Sequence, residues 1–306
     1  MTANLPAFAI DFEATDATPE AQATEIGYCG VAFSDKGILN PLHMPAAMLC
    51  KPERPISYGA MAVTGICEED VADKPDHTKV VSYYMPIVPA YIIGHNIDYD
   101  IQVAKNAGVD TSQYKLICTL AIARKLYPDI EHSLGALLYR FHYNEARNHA
   151  NQAHSAAADV RFCVILLRGF CAEAGITDME SLYAYSEAAR IPEFMPMGKH
   201  KGESISEVAS TTDGRAYFLW VITDIEDNPY LIQAVQAALI GTDLQCTKGG
   251  QYFSKGQTYT IDSFISRTTL KFKGMSEVFA IHLNKKAVII TLASGSDDDA
   301  AAFKVI

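Results

Sequence analysis

The sequence predicts an α/β fold followed by a small helical segment and a small C-terminal all-β module. Three observations predict it. Over roughly the first 175 residues, short apolar or alternating runs interleave with segments of helical period. The next stretch, to about residue 243, carries mainly helical periodicity. From about residue 245 the texture changes to GGQYFSKGQTYTIDSFISRTTLKFKG, rich in Thr, Tyr, Gly and Ser, which suits a small barrel.

Taken in order, PAFAIDF is a short apolar strand, TEIGYCGVAF an alternating one, and GILNPLHM a third after a DKG turn. The prolines between 45 and 56 predict an extended loop. Ser57 caps a short helix ending near Gly65, and the acidic loop EEDVADKPD leads into a helix near 76–85. AYIIGHN is a buried strand running into the helix HNIDYDIQVAKNAG, which ends at Gly108. KLICT is the fifth strand, and helices follow at 118–127, 132–141 and 153–174. A helix over 177–190 capped by Thr177 comes next, then a glycine-lysine loop and short helix in FMPMGKHKGESISEVAS. DGRAYFLWVIT and NPYLIQAVQAALI read as two further helices. The expected domains are therefore 1–176, 177–243 and 244–306.

Composition bounds the function without naming it. An apolar fraction of 49% in 306 residues allows a sizeable core. The N-terminus lacks a basic stretch before a long apolar run, and no window is long enough to span a bilayer, so neither a signal peptide nor a membrane partner is expected. Seven scattered cysteines without a CxxC pair argue against zinc and disulfides and suit a reducing cytoplasm. A net charge of −11 predicts no broad attraction to phosphate. Either nucleic acid is not the partner, or bound divalent cations reverse the field locally. The last 66 residues, with 8 basic and 6 acidic side chains, are the net-basic part.

Candidate chemistry sits in three segments. In AIDFEAT, Asp11 and Glu13 are two apart, so a strand projects both from one face. Adjacent carboxylates at the end of an apolar run repel unless a cation neutralises them, and hard oxygen donors suit Mg²⁺ or Mn²⁺. Two solvated acids at a strand end fit equally well. In GHNIDYD, His95 and Asn96 start a helix with Asp100 about one turn inside. Asn96 as a cap and an exposed Asp100 is the blander reading, and Asp98, a second acid, faces another side. In HSAAAD, Asp159 lies on a helix whose small residues allow close approach to another backbone. His154 is five residues earlier, roughly 140° around a helix, so it belongs at the helix start or in the loop before it. His149 is a rival for its role. Together, four carboxylates and a histidine supply what two-metal phosphodiester cleavage needs.

DFE, HNIDYD and HSAAAD resemble the three exonuclease motifs of the DEDD superfamily, in its histidine-containing (DEDDh) branch. The likeness is greater to the bacterial exonuclease X group than to proofreading subunits, ribonuclease T or oligoribonuclease. It runs through KPERPISYGAMAVTGICEEDVADKP, ICTLAIARKLYPDI and HSLGALLYRF into FMPMGKHKGESISEVA and YFLWVI. The resemblance implies a ribonuclease H-like mixed five-stranded sheet flanked by helices. It implies Asp11, Glu13, Asp100 and Asp159 as ligands of two Mg²⁺ ions, with Mn²⁺ able to substitute, and His154 as general base. Ala14 and Thr15 would lie near the terminal nucleotide, and His95, Asn96, Lys199 and Lys201 would be further substrate-binding residues. The activity implied is 3′→5′ removal of nucleoside 5′-monophosphates, with the 3′ end of DNA the favoured partner and a homodimer left open. RNA or short oligonucleotides as substrate, or a non-catalytic end-binding protein, are the alternatives. Two features depart from the family. The run ATDATPEAQATE is long and carries the extra acids Asp16 and Glu20, and residues 245–306 have no counterpart there.

Overall fold

The computed structural model describes residues 5–148, 155–226, 228–284, 287–293 and 300–306. The chain divides into two compact units, Met1–Arg190 and Ile191–Ile306. The expected borders at 176 and 243 fall inside these units.

The first unit is built on a mixed sheet. Strand β1 (Ala7–Ala14) pairs antiparallel with β2 (Ala23–Phe33) and parallel with β5 (Ala90–Gly94), which pairs parallel with β6 (Tyr114–Cys118). The far edge of β2 is shared by β3 (Leu39–Pro41) and β4 (Ala46–Leu49). The sheet thus has six strands rather than five. The sixth, β4, lies where an extended loop was expected, because AAML has neither alternation nor β-branched residues. It forms because β2, at 11 residues, is long enough to pair with β3 at one end and β4 at the other.

Helices α1 (Tyr58–Thr64), α2 (Glu68–Val71) and α3 (His77–Tyr84) follow. The Ser57 side chain caps α1 as expected, and Asp76 caps α3. The acidic loop contains α2, whose Asp70 carboxylate accepts from Cys67 N–H. Helix α4 (Ile97–Asn106) buries Ile97, Asp100, Ile101 and Ala104 along one stripe. After β6 come α5 (Thr119–Leu126), α6 (Leu134–Phe141) and the short α7 (Tyr143–Asn148), which the sequence did not signal. Helix α8 (Ala156–Ala174) packs on β1 and β2, and α9 (Met179–Arg190) on α5 and β6. The packing of α9 is why the first unit extends to Arg190. Asp178, not Thr177, caps α9: its carboxylate accepts from Ser181 N–H, while Thr177 packs against Gly37.

The second unit contains α10 (Ile205–Ala209), α11 (Thr212–Asp224), α12 (Pro229–Leu239) and a closed six-stranded antiparallel barrel. The barrel strands are β7 (Asp243–Lys248), β8 (Thr258–Phe264), β9 (Thr269–Phe272), β10 (Phe279–Asn284), β11 (Ala287–Leu292) and β12 (Ala301–Val305). Closure removes the exposed edges that so small a sheet would otherwise present. Phe218, Leu219 and Val235 from the helices share one core with Phe253, Phe272, Phe279 and Phe303 of the barrel. Helices and barrel are therefore one folding body. No helix among the described residues is long and apolar enough to cross a membrane.

Candidate active site

Strand β1 presents two faces. Ile10 and Phe12 are buried in a cluster with Ile92 and Ile97, so Asp11 and Glu13 project from the opposite face, towards α8. That helix delivers Asp159 from its first turn. Carboxylate oxygens of Asp11, Glu13 and Asp159 lie within 4.8 Å of one another.

Asp100 enters from α4. The parallel ladder between β1 and β5 ends at Ala9–Ile93, leaving the later amides of β1 without a partner strand on that side. Asp100 Oδ1 accepts the Phe12 N–H at 2.9 Å, which fixes this buried carboxylate beside the strand. It stands outside the 4.8 Å triad. Its charge nonetheless raises the Asp11 carboxyl, as do Asp159, Glu13 and Glu25 after the larger effect of burial.

The electrostatics are those of like charges crowded together. Burial, followed by Asp159 and Glu25, pushes the Glu13 carboxyl up to about 8. Burial also pushes Asp100 up to about 8, against the lowering effect of its hydrogen bond from Phe12. An all-oxygen donor set with carboxyls held this far above their usual range fits a hard divalent cation, whose binding would release their protons.

Glu25 was not singled out in the sequence. It faces Glu13 across the β1–β2 ladder, a like-charge pair that is unfavourable unless something compensates. Its Oε2 accepts the Ala156 N–H at 2.9 Å, an amide in the first turn of α8 that the helix cannot satisfy. Glu25 therefore anchors the helix that carries Asp159. Gly27, two residues on, permits the same approach: a Cβ there would lie 2.3 Å from the Ala156 carbonyl oxygen. The signal available in the sequence was a lone acid in the apolar run TEIGYCGV.

The other expected residues are placed variously. Asp98 faces away from Asp100, 2.9 Å from Arg190. His95 has both ring nitrogens engaged: its Nδ1 lies 2.9 Å from Thr119 Oγ1 and its Nε2 2.8 Å from the His132 carbonyl. Burial holds its pKa below the ordinary histidine value. Asn96 sits at the helix start in left-handed conformation, φ 71°, and its side chain makes no capping bond. Ala14 and Thr15 are buried. Thr15 donates its N–H to Gln22, accepts from Ser57 on its carbonyl and from Gln22 N–H on its hydroxyl. The long run after the first motif is pinned down. Asp16 accepts from Thr18 and lies 3.6 Å from Arg54, and Tyr99 donates to the Asp16 carbonyl. Glu20 is exposed. Lys199 and Lys201 are exposed residues of the second unit. His154 and His149 lie outside the described residues.

Known proteins share this arrangement of sequence. The profile of the RNase T exonuclease family matches residues 8–167. Exodeoxyribonuclease 10 of Escherichia coli strain K12 is 29% identical over 192 residues, covering 63% of this chain and 81% of that protein. The DNA polymerase III subunit epsilon of the same strain is 31% identical over 120 residues, 36% of this chain and 48% of the subunit. This chain thus spans about half of that subunit. A solved structure of exonuclease X in complex with 5′ overhanging duplex DNA superposes with a TM-score of 0.45 at 27% identity, covering 59% of this chain and 99% of that one. With more than half of its length matched by the family profile, the chain belongs to the RNase T exonuclease family, within the DEDD superfamily and close to exonuclease X.

Proposed function

We propose that the chain is a 3′→5′ exodeoxyribonuclease that uses two divalent cations, Mg²⁺ with Mn²⁺ as a substitute, and releases nucleoside 5′-monophosphates. The observation that carries this reading is the convergence of Asp11, Glu13 and Asp159 within 4.8 Å. The names of the relatives, an exodeoxyribonuclease and a DNA polymerase subunit, support DNA over RNA.

Asp11, Glu13, Asp100 and Asp159 would hold the cations, which supply charge neutralisation at the scissile phosphate and a more acidic attacking water. Glu13 and Asp100, both held up to about 8 without a cation, would give up their protons to hold one. The Phe12 N–H keeps Asp100 in one orientation, and Glu25 holds the first turn of the helix that presents Asp159. His154 accepts the proton of the attacking water. The water oxygen bonds to phosphorus as the bond to the 3′ oxygen of the preceding nucleotide breaks, and that oxygen takes up a proton. Asn96, exposed at the start of α4, would contact the strand end, and Lys199 and Lys201, also exposed, would supply phosphate contacts.

Digestion of 5′-labelled and 3′-labelled single DNA strands with Mg²⁺, resolved by length, tests the reading. The 5′ label should give a ladder shortening from the 3′ end, the 3′ label a mononucleotide at once, and chelation should stop both. Faster digestion of an RNA strand would move the assignment to ribonuclease. Asp11→Asn and Asp159→Asn should each abolish turnover with the fold intact; near-normal rates would remove the cluster from the chemistry. His154→Ala should cost a factor on the order of 10²–10⁴.

A further inference from the structure

The second unit carries an aromatic stack at the edge of its core, with a lysine over one ring and its outer ring exposed. Trp220, the single tryptophan of the chain, lies on α11 with 41% of its surface exposed. It stacks on Tyr217, with centroids 5.4 Å apart and planes at 27°. Lys199 Nζ lies 4.9 Å from the centroid of the same tyrosine. A large apolar ring left in water is costly, and a stacked pair left there is a surface shaped for another flat group.

The loop that brings Lys199 to this ring is an ordered turn. Gly198 and Gly202 adopt φ of 75° and 85°, conformations that side chains disfavour. Gly198 also admits the Tyr217 hydroxyl, which would lie 2.2 Å from a Cβ at that position. Backbone bonds from Met195 to Glu203 and from Gly202 to Met195 close the loop, so its cations are held on an ordered turn. Glu203, the acid nearest in sequence, is engaged by His200 Nδ1 at 2.9 Å. Lys199 and Lys201 have no ion-pair partner among the described residues. Phe194 and Met197, on the same loop, are 56% and 46% exposed.

We propose that Trp220, Tyr217, Lys199 and Lys201 form a binding platform for single-stranded DNA, in which a base stacks on the aromatic pair while the lysines meet the adjoining phosphates. The inference rests on the reading of the chain as an enzyme acting on DNA strands. It adds a stacking contact remote in sequence from the catalytic motifs. The exposed Trp220 ring, stacked on Tyr217 and in one loop-and-helix patch with cations that have no ion-pair partner among the described residues, suits a polymer whose flat bases alternate with phosphates. A protein partner would need the rings but not the paired lysines.

The lone tryptophan makes the test direct. The full-length chain is titrated with (dT)₂₀ in EDTA, so that hydrolysis and its cations play no part, while tryptophan emission is followed. Saturable quenching is expected, with thymidine 5′-monophosphate at equal nucleotide concentration giving none. The variant with both K199A and K201A keeps the fluorophore. Its affinity should fall about tenfold, and the slope of log Kd against log salt should flatten by about 0.7 per lysine. Trp220→Ala, followed by anisotropy of a labelled (dT)₂₀, should also lose about tenfold. Absence of strand binding, binding without change in emission, or an unaltered salt slope in the lysine variant would each overturn the proposal. So would a blue shift that depends on protein concentration alone, which would make the platform an interface between copies. Quenching without nuclease activity would leave the platform standing and remove the enzyme; hydrolysis without quenching would do the reverse.

Discussion

At the scale of the residue, the site is a balance between like charges and the bonds that restrain them. Glu13 and Asp100 hold protons up to about 8, against ordinary values of 4.5 and 3.8. Between roughly pH 4 and 8 these two groups therefore hold more protons in the folded chain than in the unfolded one, and their contribution to stability falls as pH rises through that window. Melting in EDTA should thus occur at lower temperature at pH 8 than at pH 5.5. Mg²⁺ or Mn²⁺ should restore most of the loss at pH 8, because a cation does there what the proton does in acid. A melting temperature that climbs with pH in EDTA would contradict this. Glu25 offers a second test. Glu25→Ala strips the Ala156 amide of its acceptor and should cost about 10–100-fold in activity or cation affinity, as loss of a supporting group around a metal site does. Glu25→Gln retains an acceptor oxygen and should recover much of it, as cation titration by calorimetry would report. Equal losses in both variants would mean that the charge matters and the anchoring does not.

At the scale of the element, β2 governs the site's shape. Glu25 and Gly27 stand on one face of it, one fastening the start of α8 and the other letting it come close. Gly27→Ala places a methyl group 2.3 Å from the Ala156 carbonyl oxygen, so the helix must move outward with Asp159. We expect about 1–3 kcal/mol of destabilisation in denaturant melts, with an activity loss larger than Glu25→Gln produces. This element also marks where the sequence stops being readable. Asp11 and Glu13 were legible because a period of two needs no tertiary knowledge. Asp159 was legible because small residues announce a close approach. Glu25 was not, since its partner depends on a register set through a bulge between Glu13 and Ala14 and the loop after it. The engagement of His95 was not legible for a similar reason: the groups that occupy its ring come from Thr119 and His132, far along the chain. The strand β4 escaped because its residues have no strand preference of their own and pair only through the length of β2.

At the scale of the whole molecule, the first unit has its own sheet and cores, and the second is held by one core to which α11, α12 and the barrel all contribute. A chain stopped after Arg190 should retain cooperative melting. One stopped after Gly241 should not retain a folded 191–241 segment, since Leu219 and Val235 would lose the barrel side of their packing. Circular dichroism and limited proteolysis of the two truncations would show the difference, and a protease-resistant 191–241 fragment would refute it. The common core has a consequence for how such a protein can change over evolutionary time. The barrel is no detachable cassette: recombination that swapped it alone would bare the hydrophobic sides of two helices. The heritable block is helices and barrel together, with its seam near Arg190.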